Sequence, residues 1–174
     1  MTTSKDTTLA RFYEFTDDEL NPSLAKGIYH LKARETTVDE WDDGRPRLNV
    51  NTIVVSGEKK GTFGPRITYS LGESDGTTAD GREFHISAED ELRKLRAAVK
   101  VMHDGKPDVV IDVKGSDKDA LKAIAKAIAG DEFIARVNID KNGYPRAGKL
   151  YPMSAPPAAF NGNEKANGFK LEDI

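Results

Sequence analysis

The chain contains no cysteine. That absence excludes disulfides, thiolate nucleophiles and cysteine-ligated zinc, and it fits a reducing cytoplasm. Aromatic residues are scarce at 7%, and Trp41 is the single tryptophan. No apolar run approaches the length of a membrane span, and the N-terminus lacks the pattern of a signal peptide. No membrane partner is expected. Catalytic signatures are equally thin. The three histidines, His30, His85 and His103, are scattered and share no metal-ligand spacing. The stretch "GEKKGTFG" has the glycines of a phosphate loop but lacks its Gly-Lys-Ser/Thr end and opens no helix. There is no nucleophile elbow, and the paired acids of "WDDG" read as a solvated turn without a partner for acid–base work. The chain therefore reads as non-enzymatic, with no cofactor. Its many Asp and Glu residues leave a divalent-metal site open.

What is present is charge, unevenly spread. Hydrophobic residues make up 37% of the 174 and charged residues 32%, for a formal net charge of −3. That sign argues against a nucleic-acid partner only if the charge is uniform. Residues 45–70 carry Arg45, Arg47, Lys59, Lys60 and Arg66 against Glu58 alone. Residues 133–153 carry Arg136, Lys141, Arg146 and Lys149 against Asp140 alone. The N-terminal 24 residues and the stretch 71–132 are acidic overall. Chance variation in solvated faces competes with the reading of two basic segments that share a role.

Residues 1–24 read as an N-terminal arm, and the Pro-, Asn- and Gly-rich residues 155–174 as a flexible tail. Between them, alternation predicts strands at about 26–36, 47–56 and 65–71. In the second, Leu48, Val50 and Val54 share one face and Arg47, Asn49 and Asn51 the other. In the third, Ile67, Tyr69 and Leu71 point inward. Two helices come next, at about 87–103 and 117–129. Ser87 with Asp90, and Ser116 with Asp119, mark their N-termini. Leu92, Leu95, Val99 and Met102 recur at helical spacing in the first, and Leu121, Ile124 and Ile128 in the second. Gly130 suits a left-handed stop. "DVVIDV" between them reads as a short strand or a buried link. Two final strands, at about 132–140 and 144–153, flank Asn142-Gly143, whose residues suit a type I′ hairpin turn.

Three strands, a helical connection and a two-stranded hairpin give a mainly β, α+β domain over residues 25–154. That is the element order of a five-stranded Greek-key OB-fold barrel, with the helices between strands 3 and 4. In such a barrel, ligands lie across strands 2 and 3, flanked by the loops between strands 1 and 2 and strands 4 and 5. Here those loops are "TTVDEWDDGRP", with Trp41 and Arg45, and "DKNGYPR", with Lys141, Tyr144 and Arg146. The strands between offer Arg47, Asn49, Asn51, Arg66 and Thr68. Rings that stack on bases and cations that follow phosphates are what single-stranded nucleic acid requires. Each residue has a structural alternative. Trp41 could anchor its loop on the barrel end, in the company of Asp39, Glu40, Asp42 and Asp43. Tyr144 could fill the inner face of its hairpin, and the arginines could be ordinary outward charges.

The succession "AKGIYHLKA", a second strand, "GPRITYSLG", the helix with "LRKLRAAV", and "DEFIARVNIDKNGYPR" resembles the phage-encoded OB-fold single-stranded DNA-binding proteins over residues 24–154. The resemblance implies a protein that coats single strands in phage replication and recombination, in the cytoplasm of the bacterial host. It carries over no catalytic residue, only the sheet face and the flanking loops. It also implies that replication or recombination proteins are recruited through an acidic C-terminal tail. Here Phe169, Glu172 and Asp173 are present, but Lys170 interrupts and the chain ends at Ile174. A non-enzymatic phage structural or adaptor protein, using the barrel for protein contacts, is the alternative. The oligomeric state is open, a homo-oligomer included.

Overall fold

A computed structural model describes residues 24–109 and 115–160. Its elements are β1 (Gly27–Glu40), β2 (Pro46–Val54), β3 (Ile67–Ser70), β4 (Ser74–Thr77), β5 (Glu83–Ile86), α1 (Ala88–Met102), α2 (Asp117–Ile128), β6 (Glu132–Ile139) and β7 (Pro145–Tyr151). Five strands form one antiparallel sheet in the order β3-β2-β1-β6-β7, and β4 with β5 forms a separate two-stranded sheet. The first 23 residues, most of the link read as "DVVIDV", and residues 161–174 of the tail lie outside the described residues.

β1 organises the large sheet. Its first half pairs with β6, from Gly27 opposite Val137 to Lys32 opposite Glu132. Its second half pairs with β2, out to Glu40 opposite Pro46. A bulge between Ala33 and Glu35 reverses the facing of the residues beyond it. An extra residue bends a strand and sharpens its twist. Leu31 and Ala33 are buried before the bulge, whereas Thr36 and Val38 are the more covered residues after it. β1 thus runs four residues past its expected end, and the long loop predicted around Trp41 is a tight turn.

Inside the curve, Tyr29, Leu31, Leu48, Val50, Val54, Phe133, Ala135 and Val137 form the core. Tyr69 joins it from β3, and burial pushes its hydroxyl up to about 12. α2 packs on β1 and β2. α1 packs on β3 and β7, which are the two opposite edges of the sheet. A single helix can touch both edges only if the sheet curls around toward closure. The result is a nearly closed barrel with α1 along the gap. Both helices begin where the sequence marks them. Ser87 accepts a bond from the Asp90 N–H, and Ser116 forms a full capping box with Asp119. Leu24 and Phe160 also pack in the core, so the packed body reaches beyond the arm and tail boundaries set from composition.

Asp131, just before β6, is fully buried. His103, at the end of α1, bonds its carboxylate at 2.6 Å, and the Lys106 ammonium meets the other oxygen. The trio ties the end of α1 to the start of β6. No helix among the described residues is long and apolar enough to cross a membrane.

Three hairpins share one turn. In each, a three-residue loop ends in a glycine with positive φ: Gly44 (87°), Gly81 (87°) and Gly143 (86°). The glycine N–H donates to the carbonyl of Trp41, Thr78 or Asp140, three residues earlier. No described residue other than glycine has positive φ. The type I′ turn expected at Asn142-Gly143 needs positive φ at both residues, so the hairpin uses a three-residue loop instead. The reason is Asp140. Its Oδ1 accepts from the N–H groups of Asn142 and Tyr144, both at 2.9 Å, and holds the chain in the alternative turn.

Candidate nucleic-acid interface

The outer face of β1, β2 and β3 is polar and internally bonded. Asp39 sits opposite Arg47, and Arg47 opposite Ser70. The guanidinium donates to both oxygens of Asp39, each at 2.7 Å. Two parallel bonds of this kind are the strongest pairing that arginine makes. They hold the Asp39 carboxyl down at about 2, with Arg47 the leading cause. The same guanidinium lies 4.2 Å from the centre of the Trp41 ring, and that of Arg45 lies 5.9 Å away. Trp41 Nε1 donates to Ser70 Oγ at 2.6 Å. The tryptophan is therefore held at the end of β2 and β3, 37% exposed. Arg45 is itself bonded to Asp43 at 2.8 Å.

Toward the middle of the face, Asn49 donates to Asp39 at 3.0 Å and is almost fully covered. Asn51 donates to Glu35 at 3.2 Å and accepts from Arg66 at 2.9 Å. Arg66 is exposed, and the acceptor it bonds is this neutral amide.

The far end of β2 carries a feature not anticipated from the sequence. The loop after β2 turns back so that Phe63 bridges to Ile53. Phe63 is 63% exposed, and the Arg34 guanidinium lies 4.9 Å from its ring centre. Arg34 is the bulged residue of β1, which is why it projects outward there. A Cβ on Gly64 would come within 2.3 Å of Thr52 Oγ1, so glycine lets this loop lie against β2. Lys59 and Lys60 belong to the same loop. The signal that could have found Phe63 is an aromatic residue alone in a glycine-punctuated polar loop. Arg47 and Ile53 are six residues apart on one strand, so the two rings stand roughly 20 Å apart.

The remaining expected residues lie elsewhere. β6 pairs with the start of β1, so the β6–β7 turn lies beyond the Gly27 end of β1. The Trp41 turn lies beyond the Glu40 end. Arg136, Lys141, Arg146 and Lys149 are exposed on β6, β7 and their turn. Tyr144 is 62% exposed and does not fill the hairpin's inner face. Asp140 is held below the usual carboxylate range, first by the Tyr144 N–H and then by Arg146, whose Nε is 2.9 Å away. The structure thus gathers Trp41, Arg45, Arg47, Asn49 and Arg66 on one face. It adds Phe63 and Arg34, and puts the β6–β7 turn at the opposite end of β1 from Trp41.

On the β4–β5 hairpin, His85 lies between Asp75 (2.5 Å) and Glu73 (3.1 Å). The bond to Asp75 is the leading cause that raises the imidazole pKa. A scan against protein-family models finds no match for the chain, and a search of curated proteins finds none.

Proposed function

We propose that the chain is a sequence-tolerant single-stranded DNA-binding protein on an OB-type Greek-key barrel, acting by contact and without chemistry. One observation carries the reading: an exposed aromatic ring with an arginine guanidinium against it stands at each end of the polar outer face of β2. Bases stack on such rings whatever their sequence, and nearby cations meet the phosphates. The strand order supports the scaffold. β6 returns through the helices to lie beside β1, and a Greek key places its fourth strand beside its first. Trp41 and Phe63 are the stacking positions. Arg34, Arg47 and Arg66 follow the backbone, Asn51 lines the path, Asn49 beneath it holds Asp39, and Lys59 and Lys60 flank it. The resemblance to phage-encoded single-strand binders supports a role in phage DNA replication or recombination.

A second reading has an observation of its own. On this face Arg45 and Arg47 each already hold a carboxylate, at 2.8 and 2.7 Å. A face with its cations so engaged suits protein contacts, as in an adaptor. Salt separates the two. A gel-shift titration with oligo-dT, oligo-rU and duplex DNA should favour the single strand. If four to six phosphates are neutralised, the log–log salt slope should be roughly −3 to −4. A flat salt response would favour the adaptor reading instead, and equal affinity for duplex would overturn the single-strand preference.

A further inference from the structure

The two ends of β1 carry opposite charge. Around the Glu40 end, Asp39, Glu40, Asp42 and Asp43 stand against Arg45, Arg47 and Lys118. The β4–β5 hairpin starts beside this turn: Gly72, two residues before β4, lies against the Arg45 side chain, and Leu71 N donates to Pro46 O at 3.3 Å. The hairpin adds Glu73, Asp75, Asp80 and Glu83 against Arg82. At the Gly27 end stand Arg136, opposite Ile28, and Lys141, Arg146 and Lys149, against Asp140. The molecule is therefore acidic at one end of its longest strand and basic at the other.

The acidic end is also poorly supported. β4 and β5 have four residues each, pair with each other, and have no substantial packing on any other element among the described residues. No side chain of either strand is buried. A lone two-stranded hairpin is marginal in water. Phe84, packed across the strands on Gly76, is still 39% exposed. The basic end shows exposed apolar groups too, in Ile139 and Tyr144.

We propose that copies of this chain associate head to tail. The acidic end, with the β4–β5 hairpin, docks on the basic β6–β7 end of a second copy. Opposite charges set the orientation, and Phe84 meets Tyr144 and Ile139 at the centre. The two patches differ, so the contact is heterologous and adds copies in a line or ring. The inference does not depend on nucleic-acid binding.

Sedimentation velocity on the full chain, freed of nucleic acid, tests it. At low salt the weight-average sedimentation coefficient should rise with concentration. At about 0.5 M salt, where charges are screened beyond roughly 4 Å, it should fall to the monomer value. Two variants use groups that make no ion pair among the described residues: Asp42→Lys with Glu83→Lys, and Arg136→Glu with Lys141→Glu. Each alone should lose association, and an equimolar mixture should regain it, since each repairs the other's mismatch. Circular dichroism melts will show whether each variant is folded. A wild-type chain that stays monomeric at low salt overturns the proposal, as does a mixture of folded variants that stays monomeric. Association that survives high salt overturns the charge-directed geometry.

Discussion

Asp39 occupies the place on Arg47 that a phosphate would take, since both present two oxygens to a guanidinium. Asp39→Asn should remove that competitor while keeping a hydrogen bond. Oligo-dT should then bind more tightly at low salt, with a steeper salt slope. The same pair has an acid signature. A carboxyl lowered in the folded state stabilises it above the unfolded pKa of about 3.9. That contribution is lost as pH falls through about 2. The melting-temperature difference between parent and Asp39→Asn should therefore be constant above pH 4 and shrink below it. Asp131 is a different kind of residue, with no exposure and two partners. Asp131→Ala leaves His103 facing an empty polar site, while the half-exposed Lys106 can turn to water. The expected loss in denaturant unfolding is about 3 kcal/mol.

Among the elements, the loop after β2 and the β4–β5 hairpin respond to single changes. Gly64→Ala forces the loop off Thr52 and should cost about 1–3 kcal/mol. If Phe63 stacks on DNA, affinity falls with it. In the hairpin, a histidine raised by its partner stabilises the folded form fully below the unfolded pKa of about 6.5. That stabilisation is lost as pH rises through the higher folded value. An NMR titration of His85 should give a midpoint above 6.5, and Asp75→Asn should bring it back toward that value. Some of these elements are legible in sequence. Leu48, Val50 and Val54 against Arg47, Asn49 and Asn51 define β2 by alternation alone, because one face is buried and the other is not. Ser116 and Asp119 mark α2 because the cap is local chemistry. β4 and β5 are not legible, since "SDGT" and "EFHI" bury nothing and so leave no alternation to read. β1 past Arg34 is obscured by the bulge, which reverses the pattern in mid-strand.

For the whole molecule, the candidate interface depends on which strands become neighbours, and spacing along the chain does not give that. Trp41, Arg45, Arg47 and Arg66 belong together in sequence reading and in space. Phe63 and Arg34, 29 positions apart, meet only because the loop returns onto β2. Trp41→Ala and Phe63→Ala should each cost about 1–3 kcal/mol in oligo-dT binding if each ring holds one base. The rings are far enough apart for the two losses to add on a long oligonucleotide. Strong non-additivity with intact melting would mean that one strand does not span both rings.

Among the described strands, β1 alone joins the two parts of the sheet, and it sets the timing of assembly. β2 is made directly after it, but Val137 pairs with Gly27 only after 110 further residues have been made. At about 5–20 residues per second, the ribosome leaves that edge open for roughly 5–20 seconds. During this interval Ile28, Tyr29 and Leu31 sit on an unpaired strand, the kind that captures other chains. Fast synthesis at high temperature should therefore drive this protein into aggregates, and slow, cool expression should rescue it.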